Sequence, residues 1–208
     1  HTTARVQMQD PCFYIYTSGT TGLPKASIMT HQRWLLGGIG MGNAMLRLQP
    51  DDVFYCCLPL YHNNGLTVSW ASVLGTGATL ALAKKFSASG FWQDVDRHGA
   101  TAFCYIGELC RYLLNQPPQP TDREHGVRMA VGNGLRPDVW MYFKQRFAID
   151  HVAEFYGASE GTLAFVNMFN LDKTAGFCPL PYAIVEVDTV TEEPSRNEKS
   201  RKKGRMKK

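Results

Sequence analysis

The sequence predicts an α/β protein in which a mostly parallel sheet is flanked by helices. Short apolar runs rich in aromatic and β-branched residues alternate at least four times with helical patterns of about 8–15 residues, as is typical of parallel sheets covered by helices. Glycine-rich turns at 17–25, 132–136 and 157–161 each follow a predicted strand. Because ligands of such sheets bind at the carboxyl ends of the strands, these three loops are the first candidates for a site.

The chain has 208 residues, of which 44% are hydrophobic, and this is enough material for one sizeable core. The predicted strands are short apolar runs bounded by turn residues, at 12–17, 52–60, 78–83, 100–105, 127–134 and 149–157. The predicted helices lie at 31–46, 66–74, 87–99, 107–116 and 136–147.

Residue types suited to helix ends support these helices. Thr30 can accept a hydrogen bond from the first turn of the helix that begins at 31. Ser87 or Ser89 can do the same for the third helix, and Gly99 suits its end. Pro137 fits the first turn of the last helix. The tryptophans recur in predicted helices and are expected to be core residues: Trp34, Trp70, Trp92 and Trp140.

Positive charge is concentrated at the carboxyl end of the sequence. Residues 195–208 hold eight Lys or Arg and one Glu, whereas the whole chain carries only +4. A basic run can contact nucleic acid or an anionic membrane surface, but this one lacks aromatic residues and a helical apolar stripe. We therefore expect 194–208 to be a disordered basic tail, without a nucleic-acid partner. Peripheral association with a membrane is the alternative.

Cysteine usage and the apolar stretches favour a cytoplasmic protein. The six cysteines form no CxxC pair and have no histidine at zinc-ligand spacing, which suits a reducing compartment. Cys56 and Cys57 are expected to be buried thiols. No secretory signal peptide opens the sequence. The longest apolar stretch, 66–83, is interrupted by Gly75 and Gly77 and is expected to form a helix and a strand rather than a membrane span.

The stretch YTSGTTGLPK, residues 16–25, has the composition of a loop that holds an anion. Its glycines let backbone N–H groups approach phosphate oxygens, and its Ser and Thr hydroxyls add further donors. Lys25 supplies a mobile positive charge. The glycines are three residues apart and Leu-Pro separates the second from Lys25, so the spacing differs from that of a Walker P-loop.

These ten residues resemble the phosphate loop of the adenylate-forming (AMP-binding) superfamily, which includes acyl-CoA synthetases, luciferases and nonribosomal peptide adenylation domains. Later segments resemble further landmarks of the superfamily in the same order: LPLYHNNG (58–65), VGNGLRP (131–137) and EFYGASEG (154–161). Together with YIGELCRYLLNQP, they are most similar to the fatty-acid transport protein branch, the very-long-chain acyl-CoA synthetases. The resemblance covers roughly residues 10–193.

The resemblance implies roles for the residues around the phosphates. The β- and γ-phosphates of ATP would be held by the first loop, through Thr17, Ser18, Gly19, Thr20, Thr21, Gly22 and Lys25. Ser159 would contact the α-phosphate, where the family usually has Thr, and Glu160 would hold Mg²⁺. Lys25, Ser159 and Glu160 are thus the implied catalytic residues. The alternative for Glu160 is a solvated loop charge.

The resemblance also implies where the adenine and the acyl chain would lie. The adenine would be bordered by Gly132, Asn133 and Gly134, and Tyr156 beside Gly157 would stack on it. Tyr156 as a plain core residue is the alternative. His62 would border the acyl pocket, but a histidine in a turn is as often a hydrogen-bonded part of the scaffold. Glu108 and Arg111 are expected to be an exposed helical pair without a role in the site.

The activity implied is the ATP-dependent conversion of a long- or very-long-chain fatty acid to acyl-AMP and then to acyl-CoA, with ATP/AMP, Mg²⁺ and coenzyme A. The family's T-G-D segment and its C-terminal catalytic-lysine domain are not found in this sequence. We therefore expect 1–193 to be the central part of the large domain, with doubtful activity of its own. A non-catalytic nucleotide-binding remnant and a fatty-acid uptake protein are the alternatives. No feature of the sequence addresses the oligomeric state.

Overall fold

The computed structural model describes residues 5–17, 23–159, 163–183 and 185. The chain divides into two compact units, residues 1–177 and 178–208. Within the described ranges, every helix and strand lies in the first unit. The expected boundary at 193 lies outside the described residues.

The described part of the chain forms two sheets. Its strands are β1 Pro11–Thr17, β2 Lys25–Thr30, β3 Val53–Cys56, β4 Thr79–Leu82, β5 Ala102–Ile106, β6 Met129–Asn133, β7 His151–Tyr156 and β8 Phe165–Val166. The larger sheet has the order β4-β3-β5-β6-β7-β8. Its first five strands are parallel and β8 is antiparallel to β7. The predicted fold class, a mostly parallel sheet flanked by helices, is confirmed.

All five predicted helices are confirmed: α1 His31–Ile39, α2 Ser72–Thr76, α3 Phe91–Arg97, α4 Gly107–Leu114 and α5 Pro137–Phe147. Wider π-helical stretches adjoin two of them, Gly40–Met45 after α1 and Asn64–Ala71 before α2, and a 3-10 turn spans Pro120–Arg123. The apolar stretch 66–83 is thus a helix followed by a strand, as predicted. In the ranges that the structure describes, no helix has the length and apolar character needed to cross a bilayer.

The predicted ends of α1 and α3 are observed at Thr30 and Gly99, but the predicted serine cap of α3 is wrong, because α3 begins after Gly90 and no side chain of the described residues caps it. Thr30 Oγ1 accepts a hydrogen bond from the backbone N–H of Arg33 at 3.2 Å and caps α1. Ser87 Oγ accepts from the backbone N–H of Gly90 at 3.2 Å, just before α3. Gly99 follows α3 with a φ of 57°, in the left-handed region that glycine adopts without strain.

The first candidate loop is set differently from the prediction. The sequence pattern passes from the loop directly to a helix, whereas the structure places β2 between them and pairs it antiparallel with β1. Residues 17–25 therefore join the strands of a hairpin rather than the end of a parallel strand and a helix. The two buried residues of this strand are Ser27 and Met29. Because one of them is polar, the strand lacks the alternation of apolar and polar residues by which a strand is recognised in a sequence.

The main core lies on both faces of the large sheet. Strands β5 and β6 are buried along almost their whole length, and this explains why they read as continuous apolar runs. Trp140 is buried in the core and Trp92 packs against it, as predicted. The main core also buries thiols, at Cys56, Cys57, Cys104 and Cys110. Burial raises the pKa of each of these thiols, as is typical of cysteines that pack in a core.

A smaller core fixes the hairpin to the rest of the unit. Ile15 of β1, Met29 of β2 and Leu66 form its buried part, and Trp34 and Trp70 pack against it. The two indole rings meet edge to face with centroids 5.5 Å apart. Trp34 Nε1 also donates to the carbonyl of Leu66 at 3.2 Å. The hairpin is therefore held by apolar contact with the helical segment 64–76.

At the amino ends of the strands, Asp52 joins three of them. Its Oδ1 accepts from Thr101 Oγ1 at 2.6 Å and from Arg128 Nε at 3.1 Å, and its Oδ2 accepts from the backbone N–H of Gln49 at 2.8 Å and from a terminal nitrogen of Arg128. Burial raises the pKa of this carboxyl, but the hydrogen bonds from Arg128, Thr101 and Gln49 outweigh it and leave the pKa lowered.

We expect Asp52→Asn to lower the free energy of unfolding by about 1–3 kcal/mol at pH 7, because it removes a charge held by several donors. A carboxyl with a lowered folded-state pKa contributes stability above its unfolded pKa, and this contribution is lost as the pH falls through the folded-state pKa. The difference between the two proteins should therefore shrink below about pH 4. Urea unfolding at stepped pH measures it.

Asp51→Asn is the matched control, because Asp51 is the exposed neighbour. We expect that change to stay within about 0.5 kcal/mol at every pH. Equal effects of the two substitutions would contradict the role of Asp52.

Candidate active site

The loop after β7 is attached to the hairpin through one carbonyl. The backbone oxygen of Ser159 accepts from Ser27 Oγ at 2.7 Å and from Arg33 Nη2 at 3.0 Å. The same guanidinium donates through Nη1 to the carbonyl of Ile28 at 2.7 Å. Strand β2 and helix α1 thus place the loop after β7 beside the hairpin that carries residues 17–25.

Two adjacent asparagines connect the loops after β6 and β7. Asn63 Nδ2 lies 3.4 Å from Ser159 Oγ, and its Oδ1 accepts from Thr67 Oγ1 at 2.9 Å. Asn64 Nδ2 donates to Asn133 Oδ1 at 2.7 Å and to the carbonyl of Tyr105 at 3.3 Å. Because both asparagines stand at the start of one helical segment, the two loops share a common support.

The loop after β6 packs so closely on its neighbours that glycine is required. A Cβ on Gly132 would lie 2.2 Å from the carbonyl oxygen of Tyr105, and a Cβ on Gly107 would lie 1.7 Å from that of Gly134. Gly134 itself has a φ of 81°. A side chain at these positions would force the backbone apart, so the glycines set the position of the loop.

A buried carboxylate lies beneath the same loop. Glu154 on β7 is only 6% exposed. Its Oε1 accepts from the backbone N–H groups of Gly134 and Leu135, the latter at 3.2 Å, and its Oε2 accepts from the hydroxyl of Tyr105. Burial raises the pKa of Glu154, and the bonds from Tyr105, Gly134 and Leu135 offset only part of that rise.

The structure brings together the predicted residues of two loops. These are Gly132, Asn133 and Gly134 at the end of β6 and directly after it, and Tyr156, Gly157 and Ser159 at the end of β7 and directly after it. Tyr156 is 66% exposed, with its ring edge-on to Phe165 at 6.3 Å. The alternative of Tyr156 as a core residue is therefore wrong.

The hairpin places Thr17 and Lys25 opposite one another, with Thr17 Oγ1 donating to the carbonyl of Lys25 at 3.5 Å. Several predicted residues lie outside the described residues: Ser18, Gly19, Thr20, Thr21, Gly22 and Glu160. Their roles stay predictions.

His62 lies at the start of the segment that carries the two asparagines. Its side chain is exposed and its ring meets that of Tyr61 at 4.6 Å. Its backbone N–H donates to Pro59 and its carbonyl accepts from Leu66. These backbone hydrogen bonds make His62 part of the turn. The role of His62 beside an acyl pocket stays a prediction. Glu108 and Arg111 form the expected exposed pair at 2.6 Å.

Sequence reasoning missed the residues that support the loops: Ser27, Arg33, Asn63, Asn64 and Glu154. The doubled asparagine stands inside a stretch already singled out for His62. Glu154 is a charged residue in an apolar strand, and such a residue needs partners when it is buried. Ser27 and Arg33 carry no sequence signal, because their contacts join positions more than 120 residues apart.

The described residues offer no ready metal site. Among them, no group of three or more His, Cys, Asp or Glu side chains could hold a metal ion. The oxygens of Glu154 are already occupied by three donors, so this carboxylate does not fit as a magnesium ligand. Glu160, which lies outside the described residues, remains the predicted ligand.

Comparison with known proteins places this geometry in a family. The family model described as AMP-binding enzyme matches residues 1–206. The chain is 58% identical over 196 residues to the medium/long-chain-fatty-acid–CoA ligase FadD6 of Mycobacterium tuberculosis, an alignment that covers 94% of this chain and 33% of that protein. It is 49% identical over 170 residues to the human long-chain fatty acid transport protein 1, covering 82% of this chain and 26% of that protein.

Solved structures agree in fold. ATP-bound MatB from Rhodopseudomonas palustris aligns with a TM-score of 0.75 at 24% identity and covers 94% of this chain and 39% of that chain. The anthranilate CoA ligase AuaEII in complex with anthranoyl-AMP aligns with a TM-score of 0.74 at 19% identity. This alignment covers 93% of this chain and 38% of that chain.

The chain spans about a third or less of the length of FadD6 and of the human long-chain fatty acid transport protein 1. The family model nevertheless matches nearly all of its residues. The chain therefore belongs to the AMP-binding enzyme family.

Proposed function

We propose that this chain forms the nucleotide-binding part of a fatty-acid–CoA ligase. Such an enzyme uses ATP to convert a long- or very-long-chain fatty acid to acyl-AMP and then to acyl-CoA. The observation that carries the proposal is the convergence of the loops after β6 and β7 on Asn63 and Asn64, beside the hairpin of residues 17–25. The 58% identical relative, named as a medium/long-chain-fatty-acid–CoA ligase, supports the substrate class.

The first half-reaction needs alignment more than acid–base catalysis. A fatty acid is already ionised at neutral pH, so its carboxylate attacks the α-phosphorus of ATP without a general base. A new O–P bond forms, the bond to the β-phosphate breaks, and pyrophosphate leaves. In the second half-reaction the thiol of coenzyme A attacks the acyl carbonyl and AMP leaves.

The residues of the chain serve this chemistry by position and charge. Lys25 and the loop of residues 17–22 hold the β- and γ-phosphates, and Ser159 contacts the α-phosphate. Tyr156 stacks on the adenine, which Gly132, Asn133 and Gly134 border. Glu160 would hold Mg²⁺, which neutralises phosphate charge when bound. His62 borders the acyl chain.

The domain arrangement belongs to the same proposal. Residues 1–193 form the nucleotide-binding region, and 194–208 form a basic tail. A second candidate function is fatty-acid uptake coupled to activation, with the protein cytoplasmic and bound at a membrane surface. It is favoured by the 49% identical relative, which is named a long-chain fatty acid transport protein, and by the charge of the tail.

We expect the purified chain to bind ATP, and Lys25→Gln to weaken this binding about 10–100-fold, because a hydrogen bond between two charged groups is lost. Calorimetric titration with ATP and Mg²⁺ measures the affinity. Release of pyrophosphate and formation of acyl-AMP on addition of oleate test the ligase activity. Binding of ATP without acyl-AMP would favour the non-catalytic alternative.

Lys173→Gln is the matched control for Lys25→Gln. Lys173 is exposed and follows Asp172, which pairs with Lys144 of α5 at 2.7 Å. Its replacement removes the same charge and should leave the ATP affinity unchanged. Equal affinities of the unmodified chain and Lys25→Gln would contradict the assignment of the phosphate loop.

We expect the full chain to float with vesicles that contain phosphatidylserine at low salt, and the chain ending at residue 194 to remain in the soluble fraction. A basic residue near an anionic surface contributes about 1 kcal/mol, and this attraction is screened by salt. Neutral vesicles and high salt are the controls. Equal flotation of both chains would discard the membrane role of the tail.

A further inference from the structure

We propose that Glu154 is the positioning residue that fixes the backbone of residues 133–135 for an adenine nucleotide. This inference rests on the proposed function and adds a residue that contacts the loop rather than the nucleotide.

The support for this proposal begins with a row of three residues across the sheet. Tyr105 of β5 pairs with Gly132 of β6, and Gly132 pairs with Glu154 of β7. A Cβ on Gly132 would lie 2.6–2.7 Å from two ring carbons of Tyr105. The missing side chain therefore lets the tyrosine ring cross the middle strand, where its hydroxyl reaches Glu154 Oε2.

The other oxygen of the carboxylate turns toward the loop. Glu154 Oε1 accepts from the backbone N–H groups of Gly134 and Leu135. Gly134 has a left-handed φ of 81°, and few residues other than glycine would adopt that conformation. Leu135 is buried, so its N–H needs a partner inside the protein.

The carboxylate is thus fully engaged on its own protein. Three donors surround its two oxygens, and the side chain is buried, so Glu154 does not reach a ligand. Gly134 is exposed, and Asn133 Oδ1 accepts a hydrogen bond from Asn64 Nδ2 at 2.7 Å. Glu154 therefore acts through the loop: it fixes the inner side, and the outer side is left to face the nucleotide.

Two substitutions separate the reach of this side chain from its charge. Glu154→Gln keeps the length, since its amide oxygen can accept from Gly134 and Leu135 and its NH₂ can donate to Tyr105. Glu154→Asp keeps the charge but is one methylene shorter, so it cannot serve both the loop and Tyr105. If Glu154 positions the loop, nucleotide binding depends on the length of this side chain and not on its charge.

The experiment measures the Kd for AMP of the full chain and the amide hydrogen exchange of Gly134 and Leu135. We expect Glu154→Gln to stay within about threefold of the unmodified Kd, and Glu154→Asp to raise it about tenfold with faster exchange at both amides. Glu124→Asp is the matched control, because Glu124 is exposed and precedes the amino end of β6, opposite the loop. It should change neither quantity.

Tyr105→Phe keeps both charge and reach and removes only the hydroxyl. We expect it to raise the Kd about two- to fivefold with faster exchange at Gly134. If Glu154→Asp does not fold, Tyr105→Phe and Glu154→Gln together test the inference. The inference is overturned if Glu154→Gln weakens binding as much as Glu154→Asp, or if Glu154→Asp and Tyr105→Phe both bind like the unmodified chain. Failure of the unmodified chain to bind AMP would instead overturn the proposed function, and this inference with it.

Discussion

A buried carboxylate has to be met by donors, and this constraint organises the carboxyl edge of the large sheet. Glu154 loses contact with water on folding, and such a group is tolerated only when its oxygens are hydrogen-bonded. The donors come from β5 and from the loop after β6. Gly132 makes this possible, because only a residue without a side chain lets Tyr105 cross the strand between them. Strand pairing, glycine placement and loop conformation are thus parts of one arrangement.

The second organising contact joins the two sheets. Among the described strands, the hairpin β1–β2 has no pairing with the six-stranded sheet, so its position depends on side chains. Apolar contact with Leu66, Trp34 and Trp70 anchors it, and the hydrogen bonds to the Ser159 carbonyl align it. Strand β2 and Ser159, which follows β7, are neighbours for this reason. A nucleotide bound by residues 17–25 and by the loop after β7 would contact both sheets, which are held together by side-chain contacts.

The two ends of the parallel sheet have different chemistry. At the amino ends, Asp52 accepts hydrogen bonds from Thr101 and Arg128, and these contacts stabilise the fold. At the carboxyl ends, glycines and asparagines leave exposed backbone and side-chain groups around Tyr156 and Asn133. This division follows from parallel pairing, which gathers all loops of one kind at one edge. The thiols of Cys56, Cys57, Cys104 and Cys110 are buried in the main core.

The sequence by itself determined the five helices, six of the eight described strands, the parallel sheet and the family, because these depend on local apolar period, turn residues and short motifs. It indicated the loops after β6 and β7, since glycine-rich turns mark them directly. Only the tertiary structure decided that residues 17–25 close a hairpin, and that Ser27, Arg33, Asn63, Asn64 and Glu154 hold the loops in place. These residues act through contacts between distant parts of the chain. A single sequence reports the chemistry of a side chain but not which remote backbone group it will meet.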